Sequence, residues 1–198
     1  MAIALLAFVP FLFAGCLAGV NGQNSAGATN SSFNSTLVLQ EVLRLEEVSL
    51  ERNLTKNDLP RLGELILPSS NSKLQKEFDE LNWLLGHKFN QHVAHSLNAM
   101  ASVLSTGKYV CPADQLSHVR PYLDFNETQR AADAISEGKE TLAEWEANAQ
   151  SIRQTVPSAY PDLDYLLKIM KDEIRAFDAG DFAKAKAYGS ILEEKGYC

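Results

Sequence analysis

The feature that most constrains this chain is an apolar stripe over residues 72–105. Leu74, Phe78, Leu81, Leu85, Phe89, Val93, Leu97, Met100 and Leu104 follow one another at steps of three or four, which keeps them on one side of a helix. Ser72 followed by Gln75 fits a capping box at its start, and Gly107 offers a left-handed stop just past its end. The spacing predicts one continuous helix of about 50 Å, eased by a bend near Gly86. No short neighbour buries a stripe of that length, so the rest of the chain must supply further helices.

It does so in both directions. Val38, Val42, Leu45 and Val48, flanked by Leu39, Leu43 and Leu50, form an apolar face with Glu41, Glu46, Glu47 and Glu51 opposite. Residues 59–67 read as a short helix begun by Pro60 and ended by Pro68. Residues 113–120 allow one or two turns before Pro121 interrupts them. Over residues 126–155, Ala131, Ile135, Gly138, Leu142, Trp145, Ala149 and Ile152 alternate steps of four and three. This narrow stripe with small residues suits antiparallel packing within the chain better than an extended coiled-coil dimer. Leu163, Leu166, Leu167, Met170, Ile174 and Phe177 mark another helix, stopped by Gly180. Asp181 then caps a last helix to about Lys195, with Phe182, Ala185, Tyr188 and Leu192 inward. Residues 176–189, AFDAGDFAKAKAYG, resemble the turn and second helix of a tetratricopeptide repeat, without a second copy at that period. No period-two strand pattern stands beside these helices. The fold expected is all-α, an antiparallel bundle of four to five main helices with one disulfide.

Residues 1–22 carry no charged side chain and are mostly apolar, with small residues Val20 and Gly22 before Gln23. They read as a secretory signal peptide cleaved before Gln23. Residues 23–35, rich in Asn, Ser, Gly and Ala, read as a flexible arm, and residues 36–198 as one helical domain. Sequons at Asn30, Asn34, Asn53 and Asn126 fit a secreted glycoprotein. Cys16 leaves with the signal, so Cys111 and Cys198 form an even pair for a disulfide in an oxidising compartment. Closing so long a loop contributes roughly 4–5 kcal/mol in the chain-entropy model. The formal charge of −7 argues against nucleic acid as a partner, and no second apolar run is long enough to span a membrane.

The histidines are the first candidates for chemistry. His87, His92 and His95 fall in the long helical stretch and His118 beyond it. The i, i+4 pair of a zinc helix is missing, because Gln91 stands four residues after His87, so they read as polar-flank or interface histidines and no metal or cofactor is expected. No nucleophile elbow, phosphate loop or paired catalytic carboxylates occur, which argues against an enzyme. Phe78, Trp83, Phe89, Met100, Trp145, Tyr165, Met170 and Phe177 read as packed core. The function expected is non-catalytic binding of an extracellular macromolecule or cell surface by a secreted protein, with a monomer favoured. The alternative is a carrier of small hydrophobic ligands in an apolar cavity of the bundle.

Overall fold

The computed structural model describes residues 33–155 and 163–195, all within the unit Ser31–Cys198. In chain order it contains α1 (Ser35–Glu51), a 3-10 turn (Lys56–Asp58), α2 (Pro60–Ile66), α3 (Ser72–Gly86) and a second 3-10 turn (Asn90–His92). Then come α4 (Val93–Thr106), α5 (Pro112–Leu116), α6 (Val119–Asp124), α7 (Thr128–Thr155), α8 (Leu163–Asp178) and α9 (Phe182–Lys195). No strand occurs among the described residues, nor any helix long and apolar enough to cross a membrane. The all-α expectation holds.

The single long helix expected over residues 72–105 is instead two. After Gly86 the chain enters a Schellman stop: the Phe89 amide donates to Leu84 O at 3.0 Å and the Lys88 amide to Leu85 O at 3.4 Å, with Lys88 at φ 65°. Phe89 then stacks on Trp83 at 5.9 Å between ring centroids, the apolar contact that usually accompanies this motif. A lysine in the left-handed region gives no sequence signal comparable to a glycine, and the apolar spacing runs through the break undisturbed. The start of α3 also differs. Asn71, not Ser72, is the cap, its side chain accepting from the Lys73 and Leu74 amides, while Gln75 reaches back to donate to Ser69 O at 2.7 Å. Pro121 lies inside the first turn of α6, where no intrahelical donor is required, so it does not interrupt the helix.

Elsewhere local chemistry and structure agree. The Asp181 side chain accepts from the Lys184 amide at the start of α9. Gly180, at φ 73°, ends α8 with the Asp181 amide donating to Ala176 O. On α7 the narrow stripe faces inward: Ala131, Ile135, Gly138 and Leu142 are buried and Trp145 packs on the same cluster. The side chains of Ala149 and Ile152 lie outside the described set. Gly138 is required by its neighbour, since a Cβ there would stand 2.5 Å from Leu116 Cδ2.

Apolar burial divides into two clusters. One joins α1, α2, α3 and α4 through Val38, Val42, Leu45, Leu62, Leu81, Leu97 and Met100. The other joins α5 to α9 through Leu116, Tyr122, Ile135, Leu166, Met170 and Leu192, and receives Trp83 and Leu84 from α3. α3 serves both because its spacing turns Leu74, Leu81 and Leu85 one way and Trp83 and Leu84 another, leaving Glu77 and Glu80 on the flank between. Several expected inward or outward positions are reversed. Glu41 is buried, ion-paired to Arg44 and Arg61, whereas Leu43, Leu50, Tyr165 and Phe182 are exposed.

Candidate functional site

Where the two apolar clusters meet, the interior is polar. α3 contributes Glu77 and Glu80, the turn and start of α4 contribute His92, His95 and Ser96, α5 contributes Asp114 and Gln115, followed by Ser117 and His118, and Tyr109 and Tyr122 flank them; all but the half-buried His95 are buried. The links across this layer are polar. His118 Nδ1 pairs with Glu80, and His118 Nε2 lies 3.3 Å from His92 O. His95 Nδ1 lies 3.2 Å from Asp114, and Lys76 donates to Glu137 of α7 at 2.8 Å.

The layer is incompletely satisfied. Among the described residues Nδ1 of His92 and Oε1 of Gln115 have no hydrogen-bond partner, which is costly in a buried setting, and the buried Glu77 carboxyl has the Tyr109 hydroxyl as its hydrogen-bonding neighbour. Burial, then the charge of Glu80, holds the Glu77 carboxyl well above the usual carboxylate range. Burial raises Asp114 as well, with His95 opposing, and raises Glu137, with Lys76 opposing. Burial and then the neighbouring His118 and His95 push His92 down to about 2. Burial opposes a charge on His118, yet Glu80 beside it, by charge and hydrogen bond, carries its pKa above the ordinary imidazole value.

Three imidazoles meet here, and their spacing decides against shared coordination in this arrangement. The ring centroids of His92, His95 and His118 stand 5.7 to 6.4 Å apart, whereas three rings on one tetrahedral zinc approach to about 5 Å. Among the described residues no group of three or more His, Cys, Asp or Glu is placed to hold a metal ion. Of the polar-flank or interface positions expected for the histidines, His87 and His95 are half-buried, whereas His92 and His118 are buried between helices and not on a solvent-facing flank.

Beside the layer, an open cleft of about 510 Å³ is lined by Lys56, Asp79, Asn82, Trp83, Gly86, His87 and Arg130. Its wall is aromatic: His87 stacks on Trp83 at 4.1 Å, and the exposed ring of Phe125 meets His87 edge-on at 4.6 Å. Gly86 makes room for the Lys56 ammonium, which would stand 2.9 Å from a Cβ at that position. Lys56, Asp79 and Arg130 have no ion-pair partner among the described residues. A narrow pit of about 30 Å³, lined by Lys76, Glu80, Tyr122, Arg130, Asp133 and Ala134, shares Arg130 with the cleft and reaches the polar layer at Glu80.

Of the residues singled out from sequence, His92, His95 and His118 come together in the layer and His87 lines the cleft, whereas the glycosylation and disulfide candidates do not converge here. Asn34, Asn53 and Asn126 are exposed on separate segments; Asn34 also caps α1 by accepting from the Leu37 amide. Asn126 sits in a left-handed turn beside Phe125. Cys111 is buried at the start of α5, while Asn30, Cys198 and residues 1–22 lie outside the described residues. Glu77, Glu80, Asp114, Lys56 and Arg130 escaped the sequence reading, because a carboxylate or cation on a helix flank looks the same whether it meets water or another helix.

The architecture defines an all-helical protein with two apolar clusters joined through a titratable interior. Compared with protein-family models, curated proteins and solved structures, the chain finds no match.

Proposed function

We propose that this chain is a secreted glycoprotein that binds an extracellular macromolecule or cell surface without catalysis. The observation that carries the reading is the open cleft, where Lys56, Asp79 and Arg130 stand without ion-pair partners among the described residues around an aromatic wall. Charges left unpaired beside a concave aromatic surface suit a polar, multi-point ligand better than an apolar one. In this reading residues 1–22 direct secretion, and the helices form one bundle domain closed by Cys111 and Cys198. Supporting that closure, α9 packs against α5, whose start Cys111 caps, and ends three residues before Cys198. Glycans on Asn53 and Asn126 would project into solvent, and one on Asn34 would use Nδ2 while leaving Oδ1 to cap α1.

The test is capture from native fluid with the glycosylated, oxidised protein, compared with the Lys56→Ala/Arg130→Ala double variant. The expected result is a co-eluting partner whose retention falls about tenfold in the variant, a loss of ~1.4 kcal/mol, with unchanged far-UV circular dichroism. A partner retained equally by both proteins would move the binding face elsewhere. No partner at all would sink the reading.

A further inference from the structure

The polar layer lies where two apolar clusters meet, and the ties across it that involve titratable side chains include His118–Glu80, His95–Asp114, Lys76–Glu137 and His92–Glu193. A purely structural junction would be apolar or fully hydrogen-bonded, because a half-satisfied buried network is weaker than either. Here the buried Glu77 carboxyl has the Tyr109 hydroxyl on one side and the Glu80 carboxylate on its own helix, and His92 Nδ1 and Gln115 Oε1 have no partner among the described residues. We propose that this layer is a pH-governed latch between the two halves of the helical domain, closed in mild acid and loosened as the pH rises past neutrality.

The groups facing one another set the direction. Around Glu77 stand Glu80 on its own helix, Tyr109 after α4, Asp114 of α5 and Glu137 of α7. Around Asp114 stand His95 of α4, His118 and Glu80, with Glu46 of α1 feeling its charge. The cations available are His118, Lys76 on Glu137, Lys73 at 4.9 Å over the Tyr109 ring and Arg130 at 6.0 Å over the Tyr122 ring. Toward α9, His92 meets Glu193 at 3.6 Å and Arg120 pairs with Glu193. With the carboxyl groups ionised and the imidazoles neutral, acidic charge outweighs basic in the layer, so the two faces repel. With Glu77 and Asp114 protonated and His118 charged, the sum is close to neutral and the ties hold.

Burial, which raises Glu77, Asp114 and Glu137, and Glu80, which raises His118, act in the same sense. The folded protein keeps protons that the unfolded chain releases. Stability at the layer is therefore full in acid and is lost as the pH rises through the folded-state values. Burial also raises Glu46, to about 7, which places part of the loss near neutrality. His92 works the other way: held neutral, it withdraws stability as the pH falls below the ordinary imidazole value. One opposing histidine against several carboxyl groups leaves the optimum in mild acid.

Hydrogen exchange on the full-length oxidised protein at pH 5 and pH 8, corrected for intrinsic rates, reads the latch directly. The expected result is opening of residues 93–124 about tenfold more frequent at pH 8, the effect of one pKa unit, with a smaller rise in the α8–α9 hairpin, where buried Glu173 and Glu193 carry a pH dependence of their own. Glu77→Gln and Asp114→Asn should each shrink that difference at least threefold. Glu173→Gln, which removes a buried carboxyl on α8 outside the layer, should leave it as it is. Equal exchange at the two pH values, or a rise as large in the α8–α9 hairpin as in residues 93–124, overturns the proposal. If the layer variants fail to fold, the wild-type profile and Glu173→Gln still decide it.

Discussion

At the scale of single residues, the unusual positions are those whose character is set by a neighbour remote in sequence. Gly138 reads in the sequence as a small residue on a heptad stripe; the structure shows that Leu116 fills its missing side-chain volume. Gly138→Ala should destabilise the protein by about 1–3 kcal/mol, read from the urea midpoint, because fully buried Leu116 has little room to retreat. Glu173 is similar in kind. Its carboxyl is buried with no hydrogen-bond partner for either oxygen among the described residues, and burial followed by the charge of Glu193 raises its pKa well above normal. A carboxyl whose folded-state pKa is raised costs stability as the pH climbs above its unfolded value. Glu173→Met should therefore stabilise by roughly 1–3 kcal/mol at pH 8 and by less at pH 5, read from thermal melts.

At the scale of elements, helix ends carry the information that apolar spacing lacks. The stripe over residues 72–105 predicts an unbroken helix, and Lys88 breaks it. Because Lys88 holds φ 65°, Lys88→Gly should stabilise by about 0.5–1 kcal/mol, seen as a higher melting temperature. Asn71→Ala should cost about 1 kcal/mol by stripping the caps from the Lys73 and Leu74 amides, whereas Ser72→Ala should be nearly neutral. The α8–α9 hairpin is the counterpart in which prediction and structure coincide. Its stop is a glycine and its cap an aspartate, both visible one residue at a time.

At the scale of the whole molecule, the chain does not pool its apolar surface into one core. Helices α1 to α4 bury one cluster, α5 to α9 another, and the boundary is where acidic and histidine side chains collect. The cleft lies against this boundary, sharing Trp83 with the second cluster and Arg130 with the pit that reaches Glu80. Gly86→Ala should displace the Lys56 ammonium and weaken partner retention about threefold to tenfold in the capture assay, with less effect on stability than Gly138→Ala. The contrast follows from setting: Gly86 is exposed and its close neighbour is the flexible end of a lysine, while Gly138 is enclosed.

What the sequence determined by itself rests on neighbours within about a turn of helix. The helical periods, the inward Val38, Val42 and Leu45 of α1, the stripes of α7 and α8, the Pro60 start and the Gly180–Asp181 junction are local, and they suffice for the all-α class, although the Asn71 cap and the Lys88 stop, equally local, carry no signal that stands out. Only the tertiary structure decided which flank of α3 meets water and which meets α6 and α7. Glu77, Glu80, His92 and His118 occupy flank positions whose local pattern is the same in either case, and burial is a property of what packs against them. The polar layer and the cleft beside it, on which both proposals rest, follow from that long-range choice.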